Sequence, residues 1–159
     1  MTDAEPAPPP FVPPGFVPPA GLDHPSFRLR PLGPEHNTAD HAAWTSSIEH
    51  IRATPGFPDG DWPHPMTLEE NRGDLERHAA DFEARKGFTY TVLAPDDADA
   101  PTVIGCLYIY PRKDGSTSVQ SWVRAADAEL DGVLAAAVAA WLAEAWPFER
   151  PDYVGRNAG

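Results

Sequence analysis

The stretch SWVRAADAELDGVLAAAVAAWL, residues 121–142, runs from a strand through a short polar turn into a long helix, and its reading decides the fold. From about Leu130 to Trp146 the residues Val133, Leu134, Ala137, Val138, Trp141, Leu142 and Trp146 recur at helical spacing and form a broad apolar face. A helix N-terminus fed by a strand is a natural seat for a phosphate. Its first N–H groups lack intrahelical partners, and the helix dipole favours negative charge. This turn nevertheless carries Asp127, Glu129 and Asp131, with Gly132 as its one glycine. Two unit charges about 5 Å apart repel by roughly 1 to 3 kcal/mol. The position suits an anion and the side chains oppose it.

Upstream of this junction lie three strand-like runs, FTYTVLA (Phe88–Ala94), TVIGCLYIYP (Thr102–Pro111) and TSVQSWV (Thr117–Val123). Short polar loops join them, so they read as an antiparallel meander. FRLRPL (Phe27–Leu32) is an earlier short strand with Phe27 and Leu29 on one face. A helix is expected from about Ala39 to Ala53, capped by Asn37 or Thr38, with Trp44, Ile48 and Ile51 on its buried side. A second starts at the capping box Thr67–Glu70, buries Leu68, Leu75, Ala79 and Phe82, pairs Asp81 with Arg85, and ends at Gly87. Residues 152–154 can add a last strand, returned parallel to the preceding one by the long helix. The order gives an α+β mixed sheet with helices on both faces.

The chain has 159 residues, enough for one domain, taken as residues 26–159 behind a proline-rich flexible tail, 1–25. Nine of the 20 prolines lie in that tail, which contains FVPPGFVPPAG. Such a segment favours polyproline II. It reads either as a solvated tail or as a docking strand whose Phe11 and Phe16 seat on an apolar surface of this chain or a neighbour; the second reading would suit an assembly protein. It has no basic start or continuous apolar run, so it does not read as a secretory signal. No stretch is long and apolar enough to span a bilayer. The lone Cys106 reads as a small buried hydrophobe, compatible with the cytoplasm. A net charge of −12 argues against nucleic acid and anionic membranes as partners and is compatible with a cationic amine.

The element order, and the text GFTYTVLAPDD…TVIGCLYIYP followed by SWVRAADAELDGVLAAAVAAWL, resemble the GNAT superfamily of acyl-CoA-dependent N-acetyltransferases over about Phe27–Val154. In this short form the family's usual C-terminal helix and hairpin have no counterpart. The resemblance therefore implies an acceptor groove completed by a partner subunit or by the proline-rich tail. It also implies acetyl-CoA as cosubstrate, with Ser121, Trp122 and Val123 as the pantetheine-binding strand end and Arg124 to Gly132 as the pyrophosphate loop. Within that loop Gly132 alone matches the family's pattern, and Arg124 is a candidate to restore positive potential beside it. The family's basic position and first glycine fall near Ala128 and Glu129, so the loop is degenerate. Tyr153, on or near the fifth strand, does not match the catalytic tyrosine of the family's later helix.

Acetyl transfer to an amine needs a base for the amine proton. Glu49 and His50 are the candidates, since the first helix often borders the acceptor site in the family; being adjacent, they point about 100° apart. They read equally as solvent-facing helix residues. The six histidines show no metal-ligand spacing, and no metal is expected. Trp62, His64 and Met66, in DGDWPHPMT, either line a ligand site or lid the core. The resemblance thus implies an N-acetyltransferase acting on a small-molecule amine or a peptide, with a non-catalytic GNAT-like module that binds a ligand or protein as the alternative. A homo-oligomer fits either.

Overall fold

The computed structural model describes residues 10–54, 63–95 and 102–154. Six strands form one sheet in chain order: β1 (Leu22–His24), β2 (Phe27–Pro31), β3 (Phe88–Leu93), β4 (Val103–Pro111), β5 (Thr117–Val123) and β6 (Pro151–Tyr153). The helices are α1 (Asn37–Thr45), α2 (Ile48–Arg52), α3 (Leu68–Glu83) and α4 (Leu130–Ala145). Strands β1 to β5 pair antiparallel, and β6 returns after α4 to pair parallel with β5. The meander and the parallel return form as expected, with β6 beginning one residue earlier.

Alternation along the strands sorts apolar side chains onto two faces. On one, Leu134, Val138, Trp141 and Leu142 of α4 cover Phe88, Tyr90, Leu107, Ile109 and Val119. On the other, Trp44, Ile51 and Leu75 of α1 to α3 cover Leu93, Val103, Cys106 and Trp122. Within α4, Val133 was expected on the buried face and is instead 40% exposed. The stripe is narrower than the run of apolar letters suggests.

The helix expected over residues 39–53 is two helices. A 3-10 turn, Pro34–His36, precedes α1, and Asn37 is its first residue rather than a side-chain cap. The break falls in the run Thr45-Ser46-Ser47. Thr45 Oγ1 donates to the His41 carbonyl (2.6 Å) and Ser46 Oγ to the Ala43 carbonyl (2.9 Å). Hydroxyls bonding back to the chain compete with the helical ladder. The α3 capping box forms, with Glu70 N–H on Thr67 Oγ1 at 3.0 Å and Thr67 N–H on Glu70 Oε1 at 2.9 Å. Its inner face differs from the expectation: Leu68 is exposed, and Asn71 joins Leu75 as the buried pair. Asp81 accepts from the Tyr110 hydroxyl, and Arg85 leaves α3 in the left-handed region at φ 61°. Gly87 does not end the helix. It makes room for Tyr110, whose ring would lie 2.1 Å from an added Cβ.

Residues 10–21 dock on this chain, and β1 adds residues before position 25 to the sheet. Val12 is fully buried. Phe11 stacks on Phe88 (5.7 Å) and Phe148 (5.0 Å), and Phe16 lies 5.4 Å from Trp146. Prolines offer the backbone only carbonyls, and two of these are used: Arg85 Nη2 donates to Pro13 (2.7 Å) and the Tyr90 hydroxyl to Pro19 (2.6 Å). Val12→Ala is therefore expected to cost about 2 kcal/mol, the loss of two buried methyl groups and the void they leave. Urea denaturation checks this; an unchanged midpoint would mean that the segment does not dock in solution.

Candidate functional site

The ladder between β5 and β6 is registered at Thr117 with Pro151, Ser118 with Asp152 and Val119 with Tyr153, and β5 runs on to Val123. Where the two strands part, the hydroxyls of Ser121 and Tyr153 hydrogen-bond across the gap, and both residues are buried. On its other edge β5 lies unusually close to β4. Gly105 faces Val123, and an added Cβ there would sit 2.0 Å from the Trp122 carbonyl oxygen. Only a glycine permits that approach. Arg124 N–H then donates to the Ile104 carbonyl at 2.8 Å, which fixes where the chain leaves the sheet.

From Arg124 the backbone turns through a 3-10 segment, Ala125–Asp127, into α4. Asp127 N–H bonds the Arg124 carbonyl (3.0 Å), Ala128 N–H that of Ala125 (3.2 Å) and Asp131 N–H that of Ala128 (3.2 Å). Ala125 N–H donates to Ser47 Oγ at 2.8 Å, tying the α1–α2 break to the junction. The N–H groups of Ala126, Glu129 and Leu130 lie outside these bonds at the start of α4. Arg124 forms an ion pair with Asp127. That pair cancels one of the three carboxylates; Glu129 is exposed and Asp131 half-buried. The space above Gly132 is open, with nothing within 4 Å of an added Cβ. The junction thus offers an anion a few backbone donors and opposes it through Glu129 and Asp131.

An Acetyltransferase (GNAT) domain model matches residues 26–155, most of the chain. The chain belongs to the GNAT acetyltransferase family. No curated protein matches it in sequence. Among solved structures it is similar to a ribosomal-protein-S5-alanine acetyltransferase from Vibrio fischeri, at 14% identity and a TM-score of 0.63, over 87% of this chain and 76% of that one. It is similar also to a ribosomal L7/L12 alpha-N-protein acetyltransferase in complex with coenzyme A, at 15% identity and a TM-score of 0.57, over 77% and 66% of the two chains. A Salmonella typhimurium acetyl transferase that modifies the N-terminal serine of L7/L12 gives 11% identity and a TM-score of 0.58, over 76% and 63%. At these identities the likeness is one of fold.

In this GNAT domain Ser121, Trp122, Val123, Arg124 and Gly132 line one continuous path from β5 into α4. Glu49 and His50 sit on α2, two and three residues after Ser47; Glu49 is exposed and His50 half-buried. Trp62 lies outside the described residues. Met66 packs on the α1–α3 core, and its carbonyl accepts from His41 Nε2 at 2.7 Å. Burial pushes the Cys106 thiol up, which keeps it protonated and un-nucleophilic.

Sequence reasoning missed a buried polar cluster between α1 and α3. Asn71 Nδ2 donates to Asn37 Oδ1 (2.9 Å) and Asp40 Oδ2 (3.1 Å), and Trp44 Nε1 donates to Asn71 Oδ1 (3.0 Å). Asn37 Nδ2 reaches the Leu68 carbonyl at 3.0 Å. The signal was there: Asn71 falls four residues before Leu75, on the inward stripe. Trp122 Nε1 donates to the Tyr108 hydroxyl at 3.0 Å on the same face. Asp40 is 4% exposed, and burial raises its pKa to about 6 against the opposing bond from Asn71.

Between about pH 4 and pH 6 the folded chain therefore holds a proton on Asp40 that the unfolded chain has lost. Stability falls as pH rises through that window and levels off above it, a penalty on the order of 3 kcal/mol. Asp40→Asn keeps an acceptor for Asn71 and removes the charge. It is expected to stabilise the protein by about 2 kcal/mol at pH 7.5 and by roughly half that at pH 5, read from urea midpoints. A variant no more stable than the parent at pH 7.5 would contradict this assignment.

Proposed function

We propose that this protein transfers an acetyl group from acetyl-CoA to a primary amine, carried by a small molecule or by the N-terminus of a peptide. The observation that carries this reading is the course of β5. The strand runs past its registered pairing with β6 and delivers Ser121–Val123, then Arg124, directly to the N-terminus of α4. The backbone of Ser121–Val123 would hold the pantetheine arm, and the N–H groups of Ala126, Glu129 and Leu130 the pyrophosphate, with Arg124 and the open space at Gly132 beside them. When bound, acetyl-CoA supplies an acetyl group activated as a thioester. Glu49 or His50 would take the amine proton, because Ser47 ties the start of α2 to the junction. Three structurally similar enzymes named for acting on ribosomal proteins support a peptide N-terminus as acceptor.

A second reading, a non-catalytic GNAT-like binding module, has its own observation. The Ser121–Tyr153 bond bridges the gap that an acyl-pantetheine would enter, and four junction amides are already bonded. Calorimetric titration of acetyl-CoA separates the two. The native chain is expected to bind at micromolar concentrations, and Glu129→Gly to bind about fivefold tighter through loss of one repelling charge. No heat from either chain would favour the binding module. If turnover follows, Glu49→Gln or His50→Ala, whichever residue is the base, should lower kcat by about a hundredfold or more while leaving the KM for acetyl-CoA unchanged. Full activity in both variants would remove these two residues from the chemistry.

A further inference from the structure

Both lysines of the chain, Lys86 and Lys113, line one cavity of about 770 Å³, together with Arg85 and Arg112. The cavity lies where the chain leaving α3, the β4–β5 turn and the segment after α4 meet Pro10 and Phe11. This is the opposite end of β5 from the junction. Thr117, the first residue of β5, lines the cavity, whereas Val123, the last, leads into the junction, about 20 Å away along an extended strand.

The charge balance there is reversed. The whole chain has 12 Lys and Arg against 24 Asp and Glu, yet the lining has four cations and one carboxylate, Glu149, with Asp152 beside it paired to Arg112 and three cations left over. The scaffold is specific. Arg85 takes φ 61°, uncommon for a residue with a side chain, and its Nη2 is anchored on the Pro13 carbonyl at 2.7 Å. Arg112 Nη1 lies 2.7 Å from Asp152 Oδ2 and 3.4 Å from Ser116 Oγ. The turn beyond it closes by Gly115 N–H on the Arg112 carbonyl (3.1 Å), with Gly115 at φ +88°. Asp114 Oδ1 is engaged by Ser116 through its N–H (2.8 Å) and hydroxyl (2.6 Å). Among the described residues neither lysine forms an ion pair. The arginines are held in place, and the lysines add mobile point charge beside them.

We propose that this cavity binds a small ligand bearing two or more phosphate charges, independently of acetyl-CoA. Its volume suits a small-molecule site. Compact ammonium charges beside guanidinium forks match tetrahedral phosphate oxygens. In a molecule of net charge −12 such an anion gains nothing from the overall field. The local cluster alone must attract it.

The test is an amide-resolved NMR titration of the full chain with inorganic pyrophosphate, with citrate as the carboxylate probe. Pyrophosphate is expected to shift the Lys86, Lys113, Gly115 and Ser116 amides and to bind more tightly than citrate. Lys86→Ala with Lys113→Ala should weaken it about tenfold, while the calorimetric titration of acetyl-CoA stays as in the parent. Both lysines are exposed, so the double variant should fold. The proposal fails if shifts are confined to residues 124–132, if the double variant binds equally well, or if nothing shifts by about 10 mM pyrophosphate. It fails also if citrate binds as tightly, which would leave a general anion patch.

Discussion

Three registers of parallel pairing, Thr117–Val119 against Pro151–Tyr153, fix where the chain after α4 rejoins the sheet. Antiparallel neighbours can be joined by a tight turn, but a parallel one requires the chain to travel back along the sheet. The 16 residues of α4 make a helix about 24 Å long, enough to run the length of β5 and return. Because the return starts where β5 ends, a helix N-terminus necessarily stands at the end of the strand. Because the pairing is registered only at the start of β5, the strand's last residues go on toward that N-terminus. A single topological requirement thus produces both parts of the candidate cradle. Gly105 adds the third part by letting β4 and β5 approach at Trp122.

The aromatic cluster around Trp146 makes that return stable. Trp146 lies within 5.5 Å of Phe16, Phe88, Trp141 and Phe148, and so joins the docked tail, the sheet, α4 and the segment after it. The tail completes the apolar surface at the far end of the sheet from the junction, because Phe11 meets Phe88 and Phe148 there. It therefore belongs to the same packing unit as β6. The contacts of Phe11 and Phe16 lie among Phe88, Trp146 and Phe148, an apolar surface of this same chain.

Much of this was legible in the residue pattern. The alternation from Phe88 to Val123 placed the meander, and the apolar stripe of α4 implied a crossover, because both patterns record burial on one face. The Thr67–Glu70 capping box was legible because it is wholly local. What failed depended on distant contacts. The inward position of Asn71 is legible in its spacing from Leu75, but that Asn37, Asp40 and Trp44 satisfy it from another helix is what no local rule anticipates. The hydroxyls of Thr45 and Ser46, bonded back to the chain, broke a helix that apolar spacing alone would continue. The junction was legible in position but not in state. Nothing in the text announces that Arg124 pairs with Asp127 or that Ser47 takes the Ala125 amide.

Electrostatics then decides what each end of β5 can receive. A charge of −12 should draw a cationic amine and repel an anionic acyl-CoA. At physiological ionic strength, however, exposed charges are largely screened beyond about 8 Å. The groups within that distance govern each site. At the junction these are an Arg124–Asp127 pair, which cancels itself, an exposed Glu129, a half-buried Asp131, and a few helix-start amides worth partial positive charge. Glu129 and Asp131 therefore oppose the helix-start amides there, and the balance between them decides how an anion is received. At the other end of β5 Arg112 is likewise paired with Asp152, and Arg85, Lys86 and Lys113 outnumber Glu149 on the cavity lining, so positive charge is in excess there. One strand thus separates two neighbourhoods that screening keeps electrically independent, and a surface that is acidic overall need not exclude anions from either.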